Sequence, residues 1–214
     1  VDWLPGGISV STDPSPREFF GHAVPDGEGG VYIVWTDHRD GCADIYVQRI
    51  YSTGMRAWSE YGTAVSSSSS DELFPTAASL EGGGIVVAWR ETDPSGGLIR
   101  VQAISPDGTA AWASGGIPAS PSGPSGPPSV ASDGSGGAIV FWPAGTPVGS
   151  SIIAQRISAE GNPAWGPAGS EVCSGCGVSG QLGIAGSGEV SIWWQDTRDG
   201  GSDIFAQRVD GSGD

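Results

Sequence analysis

Four tryptophans constrain this chain more than any other feature. Trp35, Trp89, Trp142 and Trp194 each close an apolar run, "VYIVW", "GIVVAW", "AIVFW" and "VSIWW". The steps between them are 54, 53 and 52 residues, a period that marks an array of like structural units. Thirteen residues after each Trp stands a glutamine: Gln48, Gln102, Gln155 and Gln207. Ten residues after the first three glutamines stands a second tryptophan: Trp58, Trp112 and Trp165. The fourth of these would fall three residues beyond Asp214, and the third residue of the chain is Trp3. The stretch "WLPGGISV" that begins at Trp3 matches "WASGGIPA" at Trp112. The spacing therefore predicts that the chain begins partway through a unit and that its first residues complete the last one.

Each unit reads as four short strands. The inner ones are "FFGHAVPD", "FPTAASLE", "PPSVASDG" and "QLGIAGSG". Glycine-rich turns follow, as tight hairpins need where φ is positive. The second strand is the apolar run ending in Trp, with almost no alternation, as expected when both faces are covered. The third carries the glutamine ("DIYVQRI", "IRVQAI", "IIAQRI", "DIFAQRV"). A turn then leads to an outer strand expected at the second Trp. Four-stranded units of about 50 residues, closed on themselves, resemble β-propeller blades. The predicted fold is one all-β domain over residues 1–214: a four-bladed β-propeller with four antiparallel strands per blade. The blades are expected at 17–66, 72–120, 126–173, and 179–214 joined by 1–12, so that the N-terminal strand closes the ring. Closure would remove the exposed edges that an open array leaves. The turns "SPDGTAAW" and "SAEGNPAW" resemble the Asp-box hairpin of sialidase-like propellers, where that motif is structural rather than catalytic. Four blades is also the count of hemopexin-like rings, but no Cys pair joining first and last blades is visible here.

The chain carries 24 acidic and nine basic residues, all of the latter Arg, for a net charge of −15. That balance disfavours nucleic acid and anionic membranes as partners. No apolar run approaches the roughly 20 residues that span a bilayer, so membrane insertion is not expected. No signal peptide is in view, and the chain starts at Val1, consistent with a removed leader or a trimmed segment. Three cysteines are present. Cys173 and Cys176 in "CSGC" are expected to form a local disulfide or to remain inert thiols, with redox or metal chemistry as the alternatives. A disulfide would place the protein in a secreted or periplasmic setting.

The units differ most after the Trp. Unit one reads "TDHRDGCAD" and unit four "QDTRDGGSD", both Asp-x-Arg-Asp-Gly-x-x-Asp. The functional reading takes Asp37, Asp40, Asp44, Asp196, Asp199 and Asp203 as carboxylates for Ca²⁺ on two neighbouring rim loops. It takes Arg39 and Arg198 as clamps for a polar ligand, joined by His22 on an inner strand. The structural reading makes Asp40-Gly41 and Asp199-Gly200 hairpin turns, with Asp37 and Asp196 pairing with the arginines. The recurring glutamines are expected to satisfy backbone groups between blades. No catalytic triad, phosphate loop or dinucleotide fingerprint stands out. The expected role is a secreted, non-catalytic binding or scaffold module for a glycan, a protein or a cation. The alternatives are a polysaccharide-active hydrolase or lyase, and a purely structural propeller that self-assembles. The solution state is expected to be a monomer or a swapped dimer.

Overall fold

A computed structural model describes residues 3, 5–13, 18–92, 94, 96–121, 123, 125–145, 150–176, 178–187, 189–210 and 213. Arg17, the predicted start of the first unit, lies outside them. The described residues form strands and turns with no helix, so no helix is long and apolar enough to cross a membrane. Among the described residues fifteen strands make four antiparallel sheets. The first holds β1 (Glu18–Pro25), β2 (Val31–Asp37), β3 (Asp44–Ile50) and β4 (Thr63–Ser66). The second holds β5 (Glu72–Ser79), β6 (Ile85–Glu91), β7 (Leu98–Ile104) and β8 (Ile117–Pro118). The third holds β9 (Ser129–Ser132), β10 (Ala138–Ala144), β11 (Ser151–Ile157) and β12 (Ser170–Cys173). The fourth holds β13 (Val178–Ser187), β14 (Glu189–Asp196) and β15 (Asp203–Val209).

Inner strands β1, β5, β9 and β13 pack side by side in that order, giving a propeller-like array. Three apolar cores lie between successive sheets. Val34, Ile45 and Val47 of the first sheet meet Ile85, Val87 and Trp89 of the second. Ile99 and Val101 meet Val140 and Trp142 of the third, and Ile152 and Ala154 meet Ile192 and Trp194 of the fourth. Side chains on a strand alternate between faces. Sheets two and three therefore bury both faces, which is why β6 and β10 open on unbroken runs of buried residues. Strand β14 is covered on one face only, and its burial alternates residue by residue.

The outer strands differ from the expectation. Trp58, Trp112 and Trp165 sit in the connection, and strands β4, β8 and β12 begin five residues later. The reason is the glutamine. Gln48 Nε2 donates to Ser59 O at 2.7 Å, and its Oε1 accepts from Trp58 N at 3.3 Å. Gln102 holds Ala113 O and Trp112 N in the same way at 2.9 and 3.1 Å, and Gln155 holds Gly166 O and Trp165 N at 2.6 and 3.0 Å. These amides are fully buried. They satisfy backbone groups of their own unit, not of the neighbouring one, and so pin the connection as a turn. The turn ends on a left-handed glycine. A Cβ on Gly62 or Gly116 would lie 2.5 Å from Cη2 of Trp35 or Trp89. Each indole thus fills the space that the glycine leaves.

Among the described residues no fourth strand pairs with β15. Gln207 is exposed, unlike its repeat counterparts Gln48, Gln102 and Gln155. The segment after Trp3 lies on the first sheet instead, where Trp3 Nε1 donates to Ser52 O at 3.0 Å and Thr12 N to Glu60 O at 3.0 Å.

Candidate functional site

The four inner strands wall a cavity of about 940 Å³. Its lining is set by irregularities in those strands. Register shifts fall between Phe20 and His22 in β1, between Leu73 and Thr76 in β5, and between Ser179 and Gly183 in β13. Bulges of this kind re-aim side chains and recur beside binding sites. In β5 the bulge carries Phe74 at φ 58°, the one non-glycine residue with positive φ among the described residues. Such a backbone costs about 1–3 kcal/mol, and the residue before a proline is ordinarily extended, so Pro75 makes the conformation rarer still. The surrounding structure imposes it, and the Phe74 ring is left 48% exposed in the cavity.

Two further aromatics share the lining: Phe19, 63% exposed, and Trp193, 42% exposed. The Trp193 ring lies over Gly183, where a Cβ would come within 2.0 Å of the indole. Both histidines of the chain line the same cavity. His22 Nδ1 stands 3.1 Å from O and 3.2 Å from N of Ala77, which ties the first sheet to the second and leaves the ring exposed. His38 meets Phe19 edge to face, with centroids 5.5 Å apart. Hydroxyl side chains complete the wall: Thr36, Thr76, Ser79, Ser129 and Ser132. Glu81 is the carboxylate among the described lining residues, and Ser132 Oγ donates to it.

The two acidic hairpins are built alike, and although Thr36 and His38 of the first reach the cavity, none of their aspartates or arginines lines it. Asp37 Oδ2 accepts from Trp35 Nε1 at 3.1 Å, Oδ1 accepts from Arg39 N at 2.9 Å, and the Arg39 guanidinium pairs with the carboxylate. Asp196 repeats this with Trp194 Nε1 at 3.1 Å, Arg198 N at 2.9 Å and Arg198 Nε at 2.7 Å. Burial pushes the Asp37 carboxyl up, but the bonds from Arg39 and Trp35 outweigh it and hold the group below the ordinary range. Arg39 stacks 3.9 Å above Tyr46 and donates to Tyr61 O at 3.0 Å, while Arg198 stacks 4.7 Å from Phe205 and reaches Cys173 Sγ at 3.3 Å. Each arginine is spent within its own neighbourhood.

Asp40 and Asp199 are exposed beside left-handed Gly41 and Gly200, as turn residues. Asp44 is buried and its Oδ1 accepts from Ser68 N at 3.2 Å; burial pushes its carboxyl up. Asp203 is exposed. Among the described residues no group of three or more His, Cys, Asp or Glu is placed to hold a metal ion. Cys173 and Cys176 form a disulfide, and Cys42 is a free thiol. Of the ligand-binding residues expected from sequence, the cavity receives His22 and neither arginine. It also gathers Phe19, Phe74 and Trp193, which periodicity hides because they occupy positions that repeat. Their signal is local: Phe74 precedes a proline inside a strand, and Trp193 doubles the tryptophan of its run.

No protein-family model matches the chain, and no curated protein matches it. Solved structures do. A protein of unknown function from Dyadobacter fermentans is similar over 88% of this chain and 52% of its own, with a TM-score of 0.55 and 11% identity. This chain therefore spans about half the length of that protein. An endo-arabinase from Bacteroides thetaiotaomicron is similar over 96% of this chain and 79% of its own, with a TM-score of 0.51 and 16% identity. At such identities the likeness is one of fold.

Proposed function

We propose that this protein is a non-catalytic glycan-binding module and that its ligand lies in the cavity walled by the four inner strands. The reading rests on one observation: Phe19, Phe74 and Trp193 are exposed in one cavity, among other apolar side chains, with hydroxyls, two imidazoles and the Glu81 carboxylate as its polar side-chain groups. A sugar ring has apolar faces and a hydroxyl rim, and an apolar pocket with a few placed polar groups suits both. The strained backbone at Phe74 supports the reading, because strain of this kind persists where a side chain must be presented. The endo-arabinase likeness agrees with a glycan and favours, as the second reading, a hydrolase. Glycoside hydrolysis ordinarily needs two carboxyl groups flanking the bond, and Glu81 is the candidate for one of them. The Cys173–Cys176 bridge suits a secreted or periplasmic home. Calcium on the acidic hairpins is no part of this reading, since Asp37 and Asp196 are held by Trp and Arg. The propeller itself, on this reading, is completed by an outer element of the residue 3–12 type laid along β15.

Phe74→Gly tests the site with two readouts of opposite sign. Glycine relieves the positive φ, so the melting temperature is expected to hold or rise. Affinity for the polysaccharide found on a glycan array is expected to fall at least tenfold. Unchanged affinity would remove the cavity from the proposal. Reducing ends released from the same polysaccharide, and lost on Glu81→Gln, would establish the hydrolase instead.

A further inference from the structure

Each of the first three sheets spends one face of its third strand on the sheet that follows. Ile45, Ile99 and Ile152 hold equivalent places on β3, β7 and β11, and all three are fully buried in the cores between sheets. On β15 the same place is held by Ile204, which is 73% exposed, and Ala206 beyond it is exposed as well. The opposite end of the array shows the complementary deficit. Ile85, Val87 and Ala77 of the second sheet are buried against the first. Their counterparts in the first sheet are Val31, Ile33 and Ala23, of which the first two are half-buried and the third is exposed. Among the described residues, one end lacks a following sheet and the other lacks a preceding one.

The outer elements are divided in the same way. Trp58 Nε1 donates to Pro106 O at 3.3 Å and Trp112 Nε1 to Ala159 O at 2.9 Å, each reaching the turn of the next unit. Trp3 Nε1 makes the equivalent bond to Ser52 O at 3.0 Å. Ser52, Pro106 and Ala159 each stand four residues past their unit's glutamine. Trp3 thus stands toward the first unit as Trp58 stands toward the second. Its segment also has the right shape: Gly6 and Gly7 at φ 97° and 85° repeat Gly115 and Gly116 at 78° and 78°. Where Gly116 leaves room for the Trp89 ring, a Cβ on Gly7 would meet nothing within 4 Å. Trp3 and residues 5–12 are folded as the outer element of a sheet that is not beneath them. They are held on the first sheet by Trp3, by Arg56, which donates to Ser9 O at 2.7 Å, and by Thr12. Nor, among the described residues, does β13 pack against β1 as the other inner strands pack on their neighbours.

We infer that the fourth sheet of one copy is the docking site for the first sheet and residues 3–12 of a second copy, head to tail. This rests on the completion of β15 proposed above and names its donor. The new joint repeats the three joints already inside the chain, so it is continuous with an interface the sequence has built three times. A head-to-tail joint is heterologous: two of them close a ring of eight sheets, and an unclosed series makes a filament.

The register of the joint follows from the units that are complete. Val47 pairs with Thr63, Val101 with Ile117 and Ala154 with Ser170. In each case the residue before the glutamine faces the residue five past the second Trp, which sets Ala206 of one copy opposite Ile8 of the next. With Cys42→Ser as background, a chain carrying Ala206→Cys is mixed with one carrying Ile8→Cys and oxidised. Val101→Cys with Ile117→Cys serves as the control that this register cross-links within a sheet. The expected product is a covalent dimer joining the two different chains, at twice 21.6 kDa. A single chain carrying both substitutions that cross-links only to itself, at monomer mass, would overturn the second copy as donor while leaving the completion of β15 standing. No cross-link in either arrangement, with the control positive, would overturn both.

Discussion

Glu72 shows how a single residue of a repeat can be pushed out of its ordinary chemistry. It begins β5 at the junction of the first two sheets, where it is fully buried, and Ser66 Oγ donates to its Oε1 at 2.7 Å. Burial raises its pKa from 4.5 to about 7, the nearby Asp44 charge adds to the rise, and the Ser66 hydroxyl opposes it. The folded state therefore binds a proton that the unfolded chain releases between about pH 4.5 and 7. Stability from this group is full below the lower value and is lost as pH rises through the upper one. The loss is on the order of 3–4 kcal/mol, taking about 1.4 kcal/mol per pH unit over that interval. Glu72→Gln keeps the shape and removes the titration. Thermal melts of the variant are expected to match the parent at pH 4 and to exceed it at pH 8, by several degrees. Parallel pH profiles for the two proteins would show that Glu72 does not carry the dependence.

At the scale of the elements, the glutamine turn is the device that each unit reuses, and it gives the chain an internal control. Gln102→Ala releases Ala113 O and strands the buried Trp112 N–H, at a cost of about 1–3 kcal/mol. Gln207→Ala removes an exposed side chain whose turn partners are not among the described residues of its own sheet. Urea denaturation of dilute protein is expected to show a clear loss of midpoint for the first variant and almost none for the second. Equal losses would mean that Gln207 is buried in solution like its counterparts. The strands themselves were legible because glycine turns, apolar runs and a closing Trp recur at one period, and the physics of a hairpin depends on just those local signals. The outer strands were misplaced by about five residues because the second Trp looks like a strand residue by composition. Its backbone N–H is in fact taken by a glutamine ten residues earlier. The acidic hairpins stand out because they break the repeat, and in the structure Asp37 and Asp196 bond to the Trp two residues before and the Arg two residues after them. The aromatic cavity stayed hidden because a bulge, invisible in a pattern of alternation, decides which ring faces inward.

For the whole molecule, stability must follow position along the array. Sheets two and three are covered on both faces, whereas among the described residues sheets one and four each have a face to solvent and no outer strand pairs with the fourth. Local opening takes least free energy where apolar contacts are fewest. Repeat arrays in which each unit touches only its neighbours sum such terms along the chain, so the end units open first. Native-state hydrogen exchange on dilute protein should then find its slowest amides in β6 and β10. The fastest strand amides should lie in β15, on the edge that faces away from β14. Raising the protein concentration should slow β15 and leave β6 unchanged, because docking of a second copy stabilises by mass action only what it covers. If β15 is instead as protected as β7 at every concentration, the array is closed within one chain, and its own first residues lie along that strand in solution.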